Sequence, residues 1–231
     1  MADSFPLLNR EVLACRLCPR LVAHREEVGR VRRRAYQQET YWSKPITGFG
    51  DPKARVVIIG LAPGAHGANR TGRVFTGDRS GEFLFRALHE AGFANQPTST
   101  SINDGLKLTD AYITCPVRCV PPDNKPLPLE ILTCRPYLER ELALLGDAQV
   151  IVALGRIAFD AYLTFLQKAG HIRSKTACAF GHGVLSSPQP GGPAILASYH
   201  PSQQNTSTGR LTAAMLRDIF LTAAALLTAQ T

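Results

Sequence analysis

Cysteines carry the most definite chemistry in this sequence, because thiolates bind metals at recognisable spacings. Two residues separate Cys15 from Cys18, a spacing that holds two sulfurs close enough for one metal ion or cluster. This pair leaves the coordination half filled, and the other cysteines compete for the remaining places: Cys115, Cys119, Cys134 and Cys178. Four thiolates suit either tetrahedral zinc or an iron–sulfur cluster, and the spacing alone does not decide between them.

A glycine-rich loop and one histidine form a second group of candidates. The loop extends from Gly60 to Asp78, and its glycines would let the backbone approach a flat ligand on which Phe75 could stack. It lacks the Gly-Lys-Ser/Thr ending of a phosphate-binding loop and the spaced glycines of a dinucleotide site. His200 directly follows the last predicted strand and precedes a polar run that includes Asn205. Such a histidine is a candidate for polarising a carbonyl group.

Positive charge is concentrated near the N-terminus. The formal net charge is +8, and one short stretch holds six arginines against Glu26 and Glu27: Arg20, Arg25, Arg30, Arg32, Arg33 and Arg34. A field of this sign attracts polyanions, so the stretch favours nucleic acid as a partner. A solvated helix face is the alternative interpretation.

The sequence contains neither a membrane signal nor a secretion signal. No segment reaches the roughly 18 consecutive apolar residues that a membrane helix needs, and the first residues lack a basic segment followed by an apolar core. We therefore expect a cytoplasmic protein whose six cysteines are thiols, with metal binding favoured over disulfides.

Short apolar runs alternate with helical patterns along the chain. Four runs predict strands, at residues 55–60, 111–115, 149–154 and 194–197, and Ser80 is a candidate cap for the helix after the glycine-rich loop. This alternation predicts an α/β fold: a three-layer α/β/α sandwich with a central, mostly parallel four-stranded sheet. Ligands of such folds bind beyond the carboxyl ends of the strands, so the loops beginning at Leu61, Pro116 and Ser198 would share one rim.

Taken together, these segments resemble the uracil-DNA glycosylase superfamily, and most closely its family 5, the type B enzymes of bacteria and archaea. The resemblance extends over most of the chain, from Cys15 to Arg210, in an unbroken order. It rests on Cys15-Arg-Leu-Cys-Pro19, Gly60-Leu-Ala-Pro-Gly-Ala-His-Gly67, Asn69-Arg-Thr-Gly-Arg73, Phe75-Thr-Gly-Asp78, Val117-Arg-Cys-Val-Pro-Pro-Asp-Asn124 and His200-Pro-Ser-Gln-Gln-Asn205.

The resemblance implies a monofunctional enzyme that removes uracil and other deaminated bases from DNA and so initiates base excision repair. In this interpretation His200 hydrogen-bonds the base carbonyl as negative charge grows there, Phe75 stacks on the extruded base, and Asn124 reads its polar edge. Backbone amides near Ala62 and Gly64 would contribute to substrate binding.

Asn205 completes the substrate-binding set that the resemblance implies. Leu61 and Ala62 stand where other families have a side chain that positions water. Either Asp78 takes part of that catalytic role, or the sugar cation captures water with little help. The absence of such a polar side chain at Leu61 and Ala62 also suggests a larger pocket, which accepts hypoxanthine or xanthine as well as uracil.

The resemblance also implies a [4Fe-4S] cluster held by four cysteines, which selects Cys15, Cys18, Cys119 and Cys134 and leaves out Cys115 and Cys178. The cluster would be structural, and would tie a basic helical arm, about residues 1–50, to the rest of a single domain at 1–231. We expect a monomer that acts at the bacterial or archaeal nucleoid.

Two other functions remain open at this point. The first is a non-catalytic nucleic-acid-binding module with a structural four-cysteine zinc site. The second is a nucleotide-binding α/β enzyme that acts on a free small molecule, which explains the glycine-rich loop but not the basic arm.

Overall fold

A mixed six-stranded sheet lies at the centre of the protein. The computed structural model describes residues 3–228, so residues 1, 2 and 229–231 of the predicted domain lie outside the described part. The strands are β1 (Phe49–Gly50), β2 (Val56–Ile59), β3 (Ala111–Thr114), β4 (Val150–Leu154), β5 (Leu185–Ser186) and β6 (Ala194–Ser198).

The strand order across the sheet is β1-β3-β2-β4-β6-β5. The four inner strands are parallel, with Val57 opposite Tyr112 on β3 and Ile151 on β4, which confirms the predicted parallel four-stranded core. Two antiparallel edge strands of two residues each were not predicted. They are too short for a periodic pattern and arise from pairing with strands already in place.

Eight α-helices fill the chain between and around these strands within residues 3–228. They are α1 (Phe5–Ala14), α2 (Pro19–Val31), α3 (Ala68–Thr71), α4 (Arg79–Glu90), α5 (Pro128–Leu144), α6 (Arg156–Lys168), α7 (Gln203–Ser207) and α8 (Ala213–Thr228). None of these eight helices is long and apolar enough to cross a membrane.

Both faces of the sheet are covered by helices. Successive residues of a strand point to opposite faces, so Val56 and Ile58 pack towards α4 and α8, while Val57 and Ile59 pack towards α5 and α6. This explains why β2 is an uninterrupted β-branched run rather than an alternating one. The predicted three-layer α/β/α arrangement is therefore confirmed.

The N-terminal helices attach to the same body. Phe5 on α1 packs against Tyr112 with ring centroids 5.4 Å apart, and Arg140 on α5 donates to the Asp3 carboxylate at 2.8 Å. Leu21 on α2 is buried with Val117 in a small apolar cluster. These contacts place α2 beside the loop that follows β3.

Candidate active site

A cleft of about 350 Å³, open to solvent, lies at the carboxyl ends of the parallel strands. The chain proceeds from β2 to β3 on one side and returns to β4 on the other, and such a switch in direction is where α/β sheets bind ligands. The cleft is lined by Arg33, Leu61, Ala62, Gly64, Ala65, His66, Gly67, Phe75, Asp78, Arg79, Ser80, Asn124, His200, Ser202 and Gln203.

His200 lies two residues beyond β6, at the base of this cleft. Burial lowers its pKa to about 4, so the imidazole is neutral at pH 7. Its side chain packs against Gly155, which has φ +95°, so closely that a Cβ at Gly155 would lie 3.2 Å from the His200 Cβ. A neutral imidazole in a desolvated site can donate a hydrogen bond to an oxygen that gains negative charge.

Phe75 forms an aromatic wall next to His200, with the two ring centroids 5.9 Å apart. Its backbone is left-handed, with φ +51°, a conformation that is costly for a residue with a bulky side chain. Gly60 makes room for the ring, since a Cβ there would lie 2.6 Å from Phe75 Cε2. A flat heterocycle could stack on this wall.

Asp78, and not Ser80, caps α4, so the predicted cap was wrong. The Asp78 Oδ1 accepts a hydrogen bond from the Gly81 amide at 3.0 Å, and α4 begins at Arg79. The carboxylate is pressed against Gly67, where a Cβ would lie 1.9 Å from Oδ2. Burial raises the pKa of Asp78, while the amides of the first turn oppose that shift. Asp78 therefore has a structural role as the N-terminal cap of α4.

Asn124 lines the cleft from the loop after β3. It ends a short 3₁₀ turn, Pro122–Asn124, with φ +56°, a left-handed conformation that asparagine tolerates better than most residues. Ala62 and Gly64 line the cleft from the loop after β2, and Ala62 also packs against the apolar cluster of Leu21 and Val117.

Asn205, predicted to bind substrate, does not line the cleft. The Asn205 Nδ2 donates to the His200 carbonyl at 2.9 Å, and the Asn205 backbone carbonyl accepts from the Leu211 amide at 3.0 Å. Asn205 therefore fixes the loop that carries His200.

His66 is a cleft residue that the sequence did not single out. Its Nδ1 lies 2.9 Å from the Tyr41 hydroxyl, and Arg70 donates to its carbonyl at 2.7 Å. Burial, followed by the charges of Arg33 and Arg70, lowers its pKa. The histidine was visible in the glycine-rich loop, but nothing in the sequence linked it to Tyr41.

The four predicted cysteine ligands line a second, much smaller cavity of about 20 Å³. Its other walls are Leu17, Leu21, Val22, Pro45, Arg118 and Thr133, beside Cys15, Cys18, Cys119 and Cys134. Cys115 is buried elsewhere and donates to the Val117 carbonyl, and Cys178 packs against the α6 side of the core.

Two N–H groups point at sulfurs of this cavity. Arg25 Nη1 donates to Cys119 Sγ at 3.0 Å, and the Arg118 amide donates to Cys134 Sγ at 3.3 Å. Burial raises the pKa of the Cys119 thiol to about 11 and that of Cys134 to about 12. Within residues 3–228, no three His, Cys, Asp or Glu side chains are arranged to hold a single metal ion.

The fold and the cleft define an α/β protein with an open cleft at the switch point of its sheet. The sequence matches the family described as Uracil DNA glycosylase superfamily over residues 47–223. It is 53% identical over 212 residues to the type-5 uracil-DNA glycosylase of Thermus thermophilus, covering 91% of this chain and 92% of that protein.

Further relatives carry the same name. The type-5 uracil-DNA glycosylase of Mycobacterium bovis is 50% identical, covering 95% of this chain and 80% of that protein. That of Pyrobaculum aerophilum is 43% identical, covering 94% and 91%. The chain belongs to the uracil-DNA glycosylase superfamily, which confirms the resemblance drawn from its motifs. A non-catalytic zinc module finds no support among these relatives.

Proposed function

We propose that this protein is a uracil-DNA glycosylase, which hydrolyses the N-glycosidic bond of uracil in DNA and so initiates base excision repair. The observation that carries the proposal is the neutral His200 beside the Phe75 wall, in one cleft of a chain that belongs to this superfamily. A base within a duplex cannot reach such a cleft unless its nucleotide is flipped out of the stack.

The mechanism follows from the charges that develop as the bond breaks. The bonding electron pair leaves with the base, so a base carbonyl oxygen gains negative charge and the sugar C1′ becomes positive. His200 donates a hydrogen bond to that oxygen while Phe75 stacks on the ring and Asn124 binds its polar edge. Amides near Ala62 and Gly64 add donors. Water then attacks C1′, and the proton that it loses neutralises the departed base anion, which leaves the free base and an abasic site.

Asp78 and Asn205 receive narrower roles in this proposal. The Asp78 carboxylate lines the cleft, so it can accept a hydrogen bond from the attacking water in addition to capping α4. Asn205 positions His200 through its carbonyl rather than touching the base. Leu61 and Ala62 add no bulky polar group to the cleft, which favours acceptance of hypoxanthine and xanthine as well as uracil.

We also propose that the second cavity holds a [4Fe-4S] cluster bound by Cys15, Cys18, Cys119 and Cys134. Four sulfurs face one cavity with mostly apolar walls, and two N–H groups donate to them, as in iron–sulfur sites. When bound, the cluster supplies cross-links between distant segments rather than catalysis.

DNA is the proposed partner, and the basic arm supports this because its charge suits a polyanion. In the proposed organisation residues 1–231 form one domain, active as a monomer and located with the bacterial or archaeal nucleoid. The arm, about residues 1–50, joins the rest of the domain at the four cysteines.

Alkali-revealed strand cleavage of duplexes that contain uracil, hypoxanthine or xanthine tests the proposed function. We expect the wild type to cleave the uracil duplex and His200→Ala to react about 10²–10³-fold more slowly under single-turnover conditions, because one hydrogen-bond donor to the departing base is lost. The matched control is His89→Ala, since His89 is exposed on α4 outside the cleft.

Three outcomes would contradict parts of this proposal. An inactive wild type with its full iron content would refute the glycosylase assignment. Equal rates for the two histidine variants would refute the role of His200. Intact hypoxanthine and xanthine duplexes, under conditions that cleave U:G, would refute the broad base acceptance.

A further inference from the structure

Most arginines of the basic stretch at residues 20–34 already make contacts within the protein. Arg20 and Arg30 form ion pairs with glutamates, at 2.8 Å and 2.6 Å. Arg25 donates to Cys119 Sγ at 3.0 Å, and Arg32 donates to two backbone carbonyls. The positive stretch is thus in large part a set of structural contacts, which leaves fewer cations free for DNA than the sequence suggests.

Within residues 20–34, Arg33 and Arg34 are the arginines whose guanidinium groups have no hydrogen-bond or ion-pair partner among the described residues 3–228. Both side chains are exposed. Only one of the two, Arg33, lines the cleft that contains His200 and Phe75. Arg33 and Arg34 therefore have the same charge, are both exposed and both lack a partner among the described residues, but only Arg33 lies at the cleft.

The backbone on both sides of Arg33 is fixed by Arg32. The Arg32 side chain donates to the Gly29 carbonyl at 3.2 Å, at the end of α2, and to the Gln37 carbonyl at 2.7 Å. The Arg33 carbonyl accepts from the Tyr36 amide at 2.8 Å. The attachment point of the Arg33 side chain is therefore held in place although its guanidinium group is free.

The cleft mouth around Arg33 is positively charged. Arg79, the first residue of α4, also lines the cleft and has no hydrogen-bond or ion-pair partner among the described residues. In the described part of the chain, Asp78 is the one acidic side chain that lines the cleft, and its Oδ1 accepts from the Gly81 amide as the cap of α4. Two free guanidinium groups at the mouth fit an anion rather than a neutral part of the substrate.

We propose that Arg33 binds a backbone phosphate next to the extruded nucleotide, an inference that rests on the proposed glycosylase function. A nucleotide flipped into the cleft carries its two flanking phosphates to the cleft mouth, where a guanidinium group can bind phosphate oxygens in a bidentate manner. Because Arg33 lies at the cleft mouth, this contact forms when the nucleotide is extruded and not on intact duplex. Arg34 makes no such contact and contributes only to the positive electrostatic field that attracts DNA.

The salt dependence of DNA binding tests this contact directly. One duplex carries 2′-fluoro-2′-deoxyuridine opposite guanine, which resists cleavage because the fluorine disfavours the sugar cation, and the other is the same duplex undamaged. For the wild type, Arg33→Ala, Arg33→Lys and the matched control Arg34→Ala, the slope of log K against log salt concentration is measured on both. This slope is negative, and loss of one phosphate contact lowers its magnitude by about 1.

For Arg33→Ala we expect the magnitude of this slope to decrease on the lesion duplex but not on the undamaged one. Arg33→Lys keeps the slope, and Arg34→Ala affects both duplexes equally or neither. An equal loss on both duplexes for Arg33→Ala, or no loss at all, would overturn the inference while leaving the glycosylase assignment intact. A wild type that neither cleaves uracil nor prefers the lesion duplex would overturn both.

Discussion

Gly155 carries no functional group, yet it sets the space available to His200. Its φ is +95°, and a side chain there would place its Cβ only 3.2 Å from the His200 Cβ. We expect Gly155→Ala to displace the imidazole and slow uracil excision about 10–100-fold, because small misplacements of a catalytic group are costly. Single-turnover kinetics with the uracil duplex measure this effect.

Gly183 provides the control for that substitution. Its φ is +77°, and a Cβ there would meet nothing within 4 Å. Gly183→Ala therefore carries a similar backbone cost, about 1 kcal/mol of unfolding free energy, without touching His200. If Gly183→Ala slowed excision as much as Gly155→Ala, backbone strain rather than His200 displacement would explain the result.

Single residues divide into those that the sequence could identify and those it could not. His200, Phe75 and Asn124 stood out because motif composition marks them, and all three line the cleft. The cap role of Asp78 was missed because Ser80 is an equally good capping residue in isolation. The bond between Tyr41 and His66 depends on tertiary packing, so no local pattern reports it.

A buried ion pair connects the elements that carry two of the cysteines. Arg118, between β3 and α5, contacts Glu141 on α5, and both side chains are at most 2% exposed. The Tyr112 hydroxyl donates to Glu141 Oε1 at 2.9 Å. The Arg118 amide meanwhile donates to Cys134 Sγ, so the pair sets the separation between the β3 loop and α5.

Removal of either Arg118 or Glu141 should therefore destabilise the folded protein. We expect Glu141→Leu to lower the unfolding free energy by about 3–5 kcal/mol, because an unpaired guanidinium group would remain in the core. Urea unfolding of the iron-loaded protein measures this loss. In the double variant Arg118→Met/Glu141→Leu much of the stability should return, and a double variant no more stable than Glu141→Leu would contradict the explanation.

Elements were predictable where the sequence is strongly patterned. The β-branched runs at Val56–Ile59 and Val150–Leu154 mark buried parallel strands on composition alone. The two-residue strands at Phe49–Gly50 and Leu185–Ser186 exist only because neighbouring strands offer free backbone groups. Four residues of the glycine-rich loop form α3, which has no periodic apolar face to reveal it.

At the scale of the whole molecule, the proposed cluster would join segments that are distant in sequence, since its four cysteines line one cavity. We expect Cys134→Ser to lose iron and to expose the arm, about residues 1–50, to limited proteolysis, because one of four ligands and its cross-link disappear. Iron and sulfide analysis and the mass of the proteolytic fragments measure both effects.

Cys178→Ser is the matched control, since Cys178 is half-buried and lies outside the cavity. It should retain the wild-type iron content and a protected arm. Iron loss of equal size in the two variants, or a colourless wild type that contains zinc, would refute the proposed ligand set.

The helix α2 joins the thiol cavity to the cleft mouth. It is capped by Cys18, and its last residue, Val31, precedes Arg32 and Arg33. Each helical residue adds about 1.5 Å and turns the chain by about 100°. The number of residues between Cys18 and Arg33 therefore sets both the distance of Arg33 from the thiol cavity and its direction around the α2 axis. A single inserted or deleted residue would keep every charge of the arm and still swing Arg33 away from the cleft.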